Sequence, residues 1–420
     1  MKVMLVHNRP RSSGPSGESR VVDQESAALL AAGHEVAHYS RESDEIESWP
    51  AARKALLPAR IVWSQSAYSG LRAQLRARRP DVVHVHNTFP LLSAAVLYAC
   101  RDARVPLAAT LHNYRLGCIT GEFFRDGAIC HDCATGRVLP GAVHGCYRDS
   151  RAASVPLAVA GAAHARAWRS LVSAYMFISA AQRDLLGGLG LPPERMFVRH
   201  NMIPRRDFRP AAKEDMIVFA GRLAANKGVP LLMDAWDRYL AGARPPAGAG
   251  LRLVIAGTGP LDGEVAAWAA TRPSVEVAGM LPGPGCAALM ARARAVVVPS
   301  VWEEPFGLVV VEAMAAGTPV IAARHGAFTE LVTPGTDGDL YPPADAGGLA
   351  AAIAAVASAP EKYEVYGKQA RATYEQKFNP ERSLARLVEI YEFAIANPAA
   401  GAAPAARPAG AAGNAAGPER

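Results

Sequence analysis

The chain has 420 residues, half of them apolar and a fifth charged, and carries a formal net charge of +7. The length exceeds what one hydrophobic core fills, about 250–300 residues, and the composition excludes a disordered chain, so two globular domains are expected. No apolar run reaches the ~18–20 residues of a membrane span, "VPLAVAGAAHARAW" being broken by His164 and Arg166, and "MKVMLVHNRP" is too short a run for a signal peptide; a cytoplasmic location is the expectation.

"KVMLVHN" reads as a strand, "RPRSSGPSGES" as a Gly/Ser loop and "RVVDQESAALLAAG" as a helix stopped by Gly33. The alternation recurs in "EVAHYS", "DVVHVHN", "LLSAAVLYACRDA", "PLAATLHN" and "AYMFISA". After "HNMIPRRDFRPAAKED", whose Pro and charge suit a linker, a second series runs from "MIVFAGR" to "PVIAAR". Alternating strands and helices predict parallel sheets covered on both faces, here two doubly wound domains. "PERSLARLVEIYEFAIA" reads as a closing amphipathic helix, and the Ala/Pro/Gly-rich residues 398–420 as a disordered tail. Open α/β sheets bind ligands beyond the carboxyl ends of their strands, so two such domains facing each other share a cleft there.

Charge is unevenly distributed: residues 1–205 hold 25 Lys and Arg against 16 Asp and Glu, residues 206–420 hold 20 against 22. The basic half suits an anionic partner such as a membrane surface or a phosphorylated lipid, or is simply a solvated basic face. No run pairs basic residues with stacking aromatics, so nucleic acid is not expected.

Three stretches carry chemistry in the second half. In "FAGRLAANKGVPLL" a strand ends at Gly221, and Arg222 and Lys227 sit in the turn before a helix, where fixed cations and free backbone N–H groups suit a diphosphate. "VIAGTGPLDGE" places Gly257 and Gly259 at a strand end. It lacks the third glycine of a dinucleotide fingerprint and the Lys-Ser/Thr of a phosphate-cradling loop. In "PSVWEEPFGLVVVEAMAAG" a helix starting near Phe306 or Gly307 leaves Glu304 in the turn and Glu312 in the second helical turn, both near the positive end of the dipole; Glu303 reads as a mere neighbour.

In this order and spacing, Gly-Arg-x4-Lys-Gly, Gly-x-Gly-Pro and Glu-Pro-Phe-Gly-x4-Glu resemble the retaining glycosyltransferases of family 4, which have the GT-B fold. The resemblance implies two facing Rossmann-like domains: an acceptor-side domain over 1–205, a nucleotide-sugar domain over 206–378, and a closing helix over 379–397. It implies that Arg222 and Lys227 hold the donor diphosphate, Glu312 the ribose hydroxyls and Glu304 the transferred sugar. The backbone of Phe306, Gly307 and Leu308 would touch sugar and phosphate, Gly279 and Leu281 would line the base, and Gly17 would approach the diphosphate. His112 matches the histidine beside the donor sugar, while His86, Asn87 and Asn113 face the acceptor side. No catalytic metal is required on this reading, and the acceptor is a glycan, a lipid-linked sugar or a small molecule. A sugar-nucleotide epimerase or a phosphorylase on the same scaffold is the alternative.

Cys118, Cys130, Cys133 and Cys146 stand apart from this pattern, in an insertion over residues 117–147. Four thiols with one C-x2-C suit a structural zinc site, with His131 and His144 as spare ligands; reduced cysteines in another role and, less readily in a reducing compartment, disulfides are the other readings.

Overall fold

Residues 1–12, 16–204, 211–242 and 250–401 are described by the computed structural model; the central part of the expected linker and nearly all of the expected tail lie outside them. The apolar runs pair into two six-stranded sheets, each parallel throughout. The first contains β1 (Lys2–Arg9), β2 (Glu35–Glu42), β3 (Val82–Val85), β4 (Leu107–Leu111), β7 (Ala174–Phe177) and β8 (Met196–Val198), in the order β2-β1-β3-β4-β7-β8. The short strands β5 (Phe124–Arg125) and β6 (Ala128–Ile129) form an antiparallel ribbon inside the cysteine-bearing insertion. The second sheet contains β9 (Glu214–Ala220), β10 (Arg252–Ala256), β11 (Val275–Gly279), β12 (Ala293–Val298), β13 (Val320–Ala323) and β14 (Gly338–Tyr341), in the order β11-β10-β9-β12-β13-β14. The strand order reverses beside β1 and β3 in one sheet and beside β9 and β12 in the other, and these switch points open the crevices that bind ligands in such folds.

Period-two alternation explains the layering. Met4, Val6, Val83 and Val85 join one buried cluster with Leu71, Leu75 and Leu97 from flanking helices. Val3, Leu5 and Val82 face the other way and meet Leu387, Ile390, Tyr391 and Ala394. Those four repeat at helical spacing along Pro380–Ala396, a helix that starts with Pro at its first position and Asn379 accepting from the Arg382 N–H at 2.8 Å. After completing the second domain the chain thus returns to cover the first sheet, where burying each large apolar side chain contributes roughly 1.5–3 kcal/mol.

Polar contacts fix how the domains meet. Ser179 Oγ donates to the Pro305 carbonyl at 2.6 Å, Glu330 accepts from the Ala180 N–H at 2.9 Å, and Tyr374 Oη donates to the Ile203 carbonyl at 2.9 Å. Glu330 therefore spends its carboxylate on the interdomain contact.

Candidate active site

The turn after β12 is shaped by glycine. Gly307 has φ +87°, and a Cβ there would lie 2.6 Å from the Phe328 ring, so only glycine fits. It directly precedes the helix Leu308–Ala315, whose first N–H groups lack intrahelical partners and whose Val309 and Glu312 line the interdomain cavity. A second close approach occurs at Gly257, where a Cβ would sit 1.8 Å from the Gly221 carbonyl oxygen, binding the ends of β9 and β10 together. Its N–H donates to the Gly279 carbonyl at 2.7 Å and the Gly221 N–H donates to the Ala256 carbonyl at 3.0 Å, so the ends of the three strands are joined into one rim.

A cavity of about 570 Å³ opens at this rim, lined by Gly221, Arg222, Gly257, Leu281 and Glu312 from the second domain and Arg20 from the first. Arg222 is exposed and has no hydrogen-bond or ion-pair partner among the described residues, which leaves its guanidinium available to a ligand. Glu312 lies in the second helical turn, as expected, and pairs with Arg20 Nη1 at 2.8 Å across the cleft. Gly17 stands at the first-domain wall, where a Cβ would come within 3.0 Å of Leu308. The start of the Gly17–Ala31 helix therefore faces the start of the Leu308–Ala315 helix, though residues 13–15 of the preceding loop lie outside the described residues.

Glu304 is 7% exposed. Its Oε2 accepts from Lys227 Nζ at 2.7 Å, Trp302 Nε1 at 3.0 Å and Ser300 Oγ at 3.2 Å. Lys227 also lies over the Trp302 ring, 4.8 Å from its centroid. The sequence reading treated Lys227 and Glu304 as separate ligand contacts; the fold joins them into one ion pair. Phe306 is packed into the core of the second domain, so only its backbone can serve the site.

On the first domain, the two His-Asn pairs end β3 and β4. Asn113 Nδ2 and Asn87 Nδ2 donate to the two carboxylate oxygens of Glu18, at 2.7 and 3.1 Å, which holds an anion at the cleft. His112 lines a second cavity of about 350 Å³ with His86, Asn87, Asn113 and Arg115, and does not line the larger one. Its Nε2 lies 2.9 Å from His86 Nδ1. Beneath them Glu25 is fully buried: Arg199 Nη1 pairs with its Oε1 at 2.5 Å, and its Oε2 lies 3.6 Å from His86 Nε2 and 3.7 Å from His84 Nδ1. Burial acts to raise the Glu25 pKa, but the charge and hydrogen bond of Arg199 outweigh it and hold the carboxyl below its ordinary range. Burial is also the leading cause that pushes His84 and His86 well below the ordinary imidazole value, lowers His112 and brings His7 to about 3, so these rings are neutral. None of Arg20, Glu18, Glu25 or Arg199 was visible as a site residue in the sequence, because each finds its partner at long range.

The cysteine-bearing insertion reaches across the cleft. His131 Nε2 lies 3.1 Å from Glu303 Oε1, so Glu303 is an anchor and not a mere neighbour. Glu122 feels Arg222, Arg115 and Lys227 as nearby positive charges, while burial, the larger influence, raises its pKa. All four insertion cysteines are free thiols around one cavity of about 20 Å³ that His144 also lines. No three of their sulfurs come within 4.8 Å of one another. Tetrahedral zinc with ~2.3 Å Zn–S bonds would draw them closer. The donor chemistry fits zinc and the spacing is open.

Two doubly wound domains with paired cations and a helix N-terminus at the mouth of their shared cleft define a transferase of the GT-B type. Residues 15–206 match the family described as Glycosyltransferase Family 4, and residues 214–359 that described as Glycosyl transferases group 1. These matches cover most of the chain, and it belongs to this glycosyltransferase family. Among curated relatives, glycogen synthase of Mycobacterium tuberculosis is 27% identical over 411 residues, 89% of this chain and 90% of that protein. MMP α-(1→4)-mannosyltransferase of Mycolicibacterium hassiacum is 31% identical, but the match spans 53% of this chain and 54% of that enzyme. The Anabaena protein HepE, solved in complex with UDP, superposes with a TM-score of 0.65 at 20% identity, covering 93% of this chain and all of that one.

Proposed function

We propose that the protein transfers a sugar with retention of anomeric configuration from a nucleoside diphosphate donor to a glycan, lipid-linked or small-molecule acceptor. The observation that carries this reading is the convergence of Arg222, Glu312 and the Leu308 helix start on one interdomain cavity. Arg222, Lys227 and the free N–H groups meet the diphosphate, and Glu312 exchanges its partner Arg20 for the ribose hydroxyls. As the glycosidic bond breaks, charge grows on the leaving phosphate, where these donors stabilise it. Glu304, tied by three donors, is a poor nucleophile and suits hydrogen bonds to sugar hydroxyls; this favours attack from the leaving-group face, with the phosphate taking the acceptor proton. His112 and His86 line the side from which the acceptor approaches. The basic excess of the first domain supports contact with an anionic surface.

The reading calls for no catalytic metal, so added divalent cations leave turnover unchanged. The four thiols are assigned to a structural zinc that closes their cavity; metal analysis of reduced protein giving one zinc per chain supports this, and metal-free protein with an ordered insertion contradicts it. The transfer itself is tested by NMR of the product: the donor's anomeric configuration is kept, and an inverted product would overturn the mechanism. No feature of the site favours an epimerase or a phosphorylase.

A further inference from the structure

We propose that residues 51–62 and 139–171 form a face that docks on an anionic lipid surface and feeds a lipid-linked acceptor into the first-domain cavity. The proposal rests on the transferase reading and narrows its acceptor to one class. Three helical pieces build the face: Leu57–Val62 and Leu139–Val143 both pack against the long helix Arg151–Leu171.

Ten large apolar side chains are exposed among the described residues, and five belong to these segments: Leu56 (57%), Leu139 (69%), Val143 (53%), Val155 (48%) and Val159 (46%). Val155 and Val159, like Leu139 and Val143, are four residues apart and so share a helix side. Such clustering in so short a part of the chain marks a surface that something covers.

Charge says what covers it. Arg53, Lys54, Arg60, Arg148, Arg151, Arg166 and Arg169 in these segments, with Arg137 two residues before the second, accompany the apolar residues, against Asp149 alone. None of the eight cations forms a salt bridge with a carboxylate among the described residues. Lys54 donates to the Glu47 carbonyl, Arg53 and Arg60 lie over the Trp49 ring and Arg148 over Tyr147, so no carboxylate neutralises these charges. Apolar side chains accompanied by such cations are the pattern of a surface that seats itself in the headgroup region of an anionic membrane. No helix is long and apolar enough to cross one.

The same segments wall the acceptor cavity, through Ile61, Val138, Leu157, Ala160, Gly161 and Ala165. At its polar end Arg115 donates to the Ile119 and Thr120 carbonyls at 2.7 and 3.2 Å and stacks 4.2 Å from the Phe89 centroid. It forms no salt bridge among the described residues, and its charge suits the phosphate of a lipid-linked acceptor. A tail left in the bilayer and a headgroup drawn past Arg115 toward His86 and His112 would enter along this apolar wall.

The test is flotation of the full chain with phosphatidylcholine vesicles, with and without one-third phosphatidylglycerol. Wild type should float with the anionic vesicles. The quadruple variant Leu139→Ser, Val143→Ser, Val155→Ser, Val159→Ser should lose at least tenfold in partitioning, and each of Arg53→Gln, Lys54→Gln and Arg151→Gln should cost about fivefold. Nucleotide binding, followed by thermal shift on the same preparations, should be unchanged in all variants; it monitors the donor reading separately, so the two can fail independently. Absence of anionic vesicle binding, or equal binding by the serine variant, overturns the proposal. So does a wild-type dimer that the serine variant dissociates, because a second copy would then own the face.

Discussion

The two domains share one architecture and use polar residues in opposite ways. In the second, Glu304, Lys227 and Arg222 sit on turns beyond a sheet whose interior is almost wholly aliphatic. In the first, polarity runs inside the sheet: His84, His86, Glu25 and Arg199 are all buried, and Tyr391 Oη lies 2.7 Å from His84 Nδ1. One domain therefore carries its chemistry on loops that can be altered with little loss of fold. The other has polar site residues built into its stability.

The sharpest way to break this contrast is Glu25→Gln. It leaves Arg199, 3% exposed, as an uncompensated buried charge, and should cost about 3–5 kcal/mol. Urea unfolding followed by hydrogen exchange should place the loss in the first domain; a loss spread equally over both would dissolve the comparison. Lys227→Ala comes next, with an expected drop in kcat of about 100-fold, the scale of removing one charge-stabilising donor; the buried Glu304 keeps Trp302 and Ser300 as donors, so the stability cost stays at about 1–3 kcal/mol. Tyr391→Phe acts on stability alone: a buried imidazole nitrogen loses its partner, at about 1–3 kcal/mol, and the closing helix should loosen from the first sheet.

Acidity offers a gentler probe. Because His7, His84, His86 and His112 have folded pKa values below the ordinary 6.5, the unfolded chain takes up protons first as the pH falls through that value. Stability of the first domain is thus retained above about pH 6.5 and lost below it. In the second domain burial lowers Lys213 to about 8 from 10.5, so its contribution makes stability rise between those values. A pH series of melting curves with domain-specific probes should separate the two windows; coincident transitions would contradict the assignment.

How far each half could be read from sequence follows the same division. The donor side rests on residues close in the chain, Gly221 with Arg222 and Lys227, and Glu304 with Gly307 and Glu312, so spacing alone brought them together. The Lys227–Glu304 pair was hidden because it joins two turns 77 residues apart. Glu25 with Arg199, and His84 with Tyr391, are separated by 174 and 307 residues, and a strand histidine gives no hint of such partners. Glu303 was read as incidental because its partner, His131, belongs to an insertion whose path over the cleft no periodicity encodes. The face built from residues 51–62 and 139–171 was legible only as charge: the basic excess of the first half suited an anionic surface, but only packing brings those helices together.

The central claim is that the cleft beneath Gly307 grips a nucleoside diphosphate through Arg222 and Glu312. Calorimetric titration of UDP-, GDP- and ADP-sugars into wild type, Arg222→Ala and Glu312→Ala tests it most directly. The account predicts saturable one-to-one binding of at least one donor to wild type, weakened tenfold or more in each variant, equivalent to about 1.4 kcal/mol. Binding that is unchanged in both variants would contradict it.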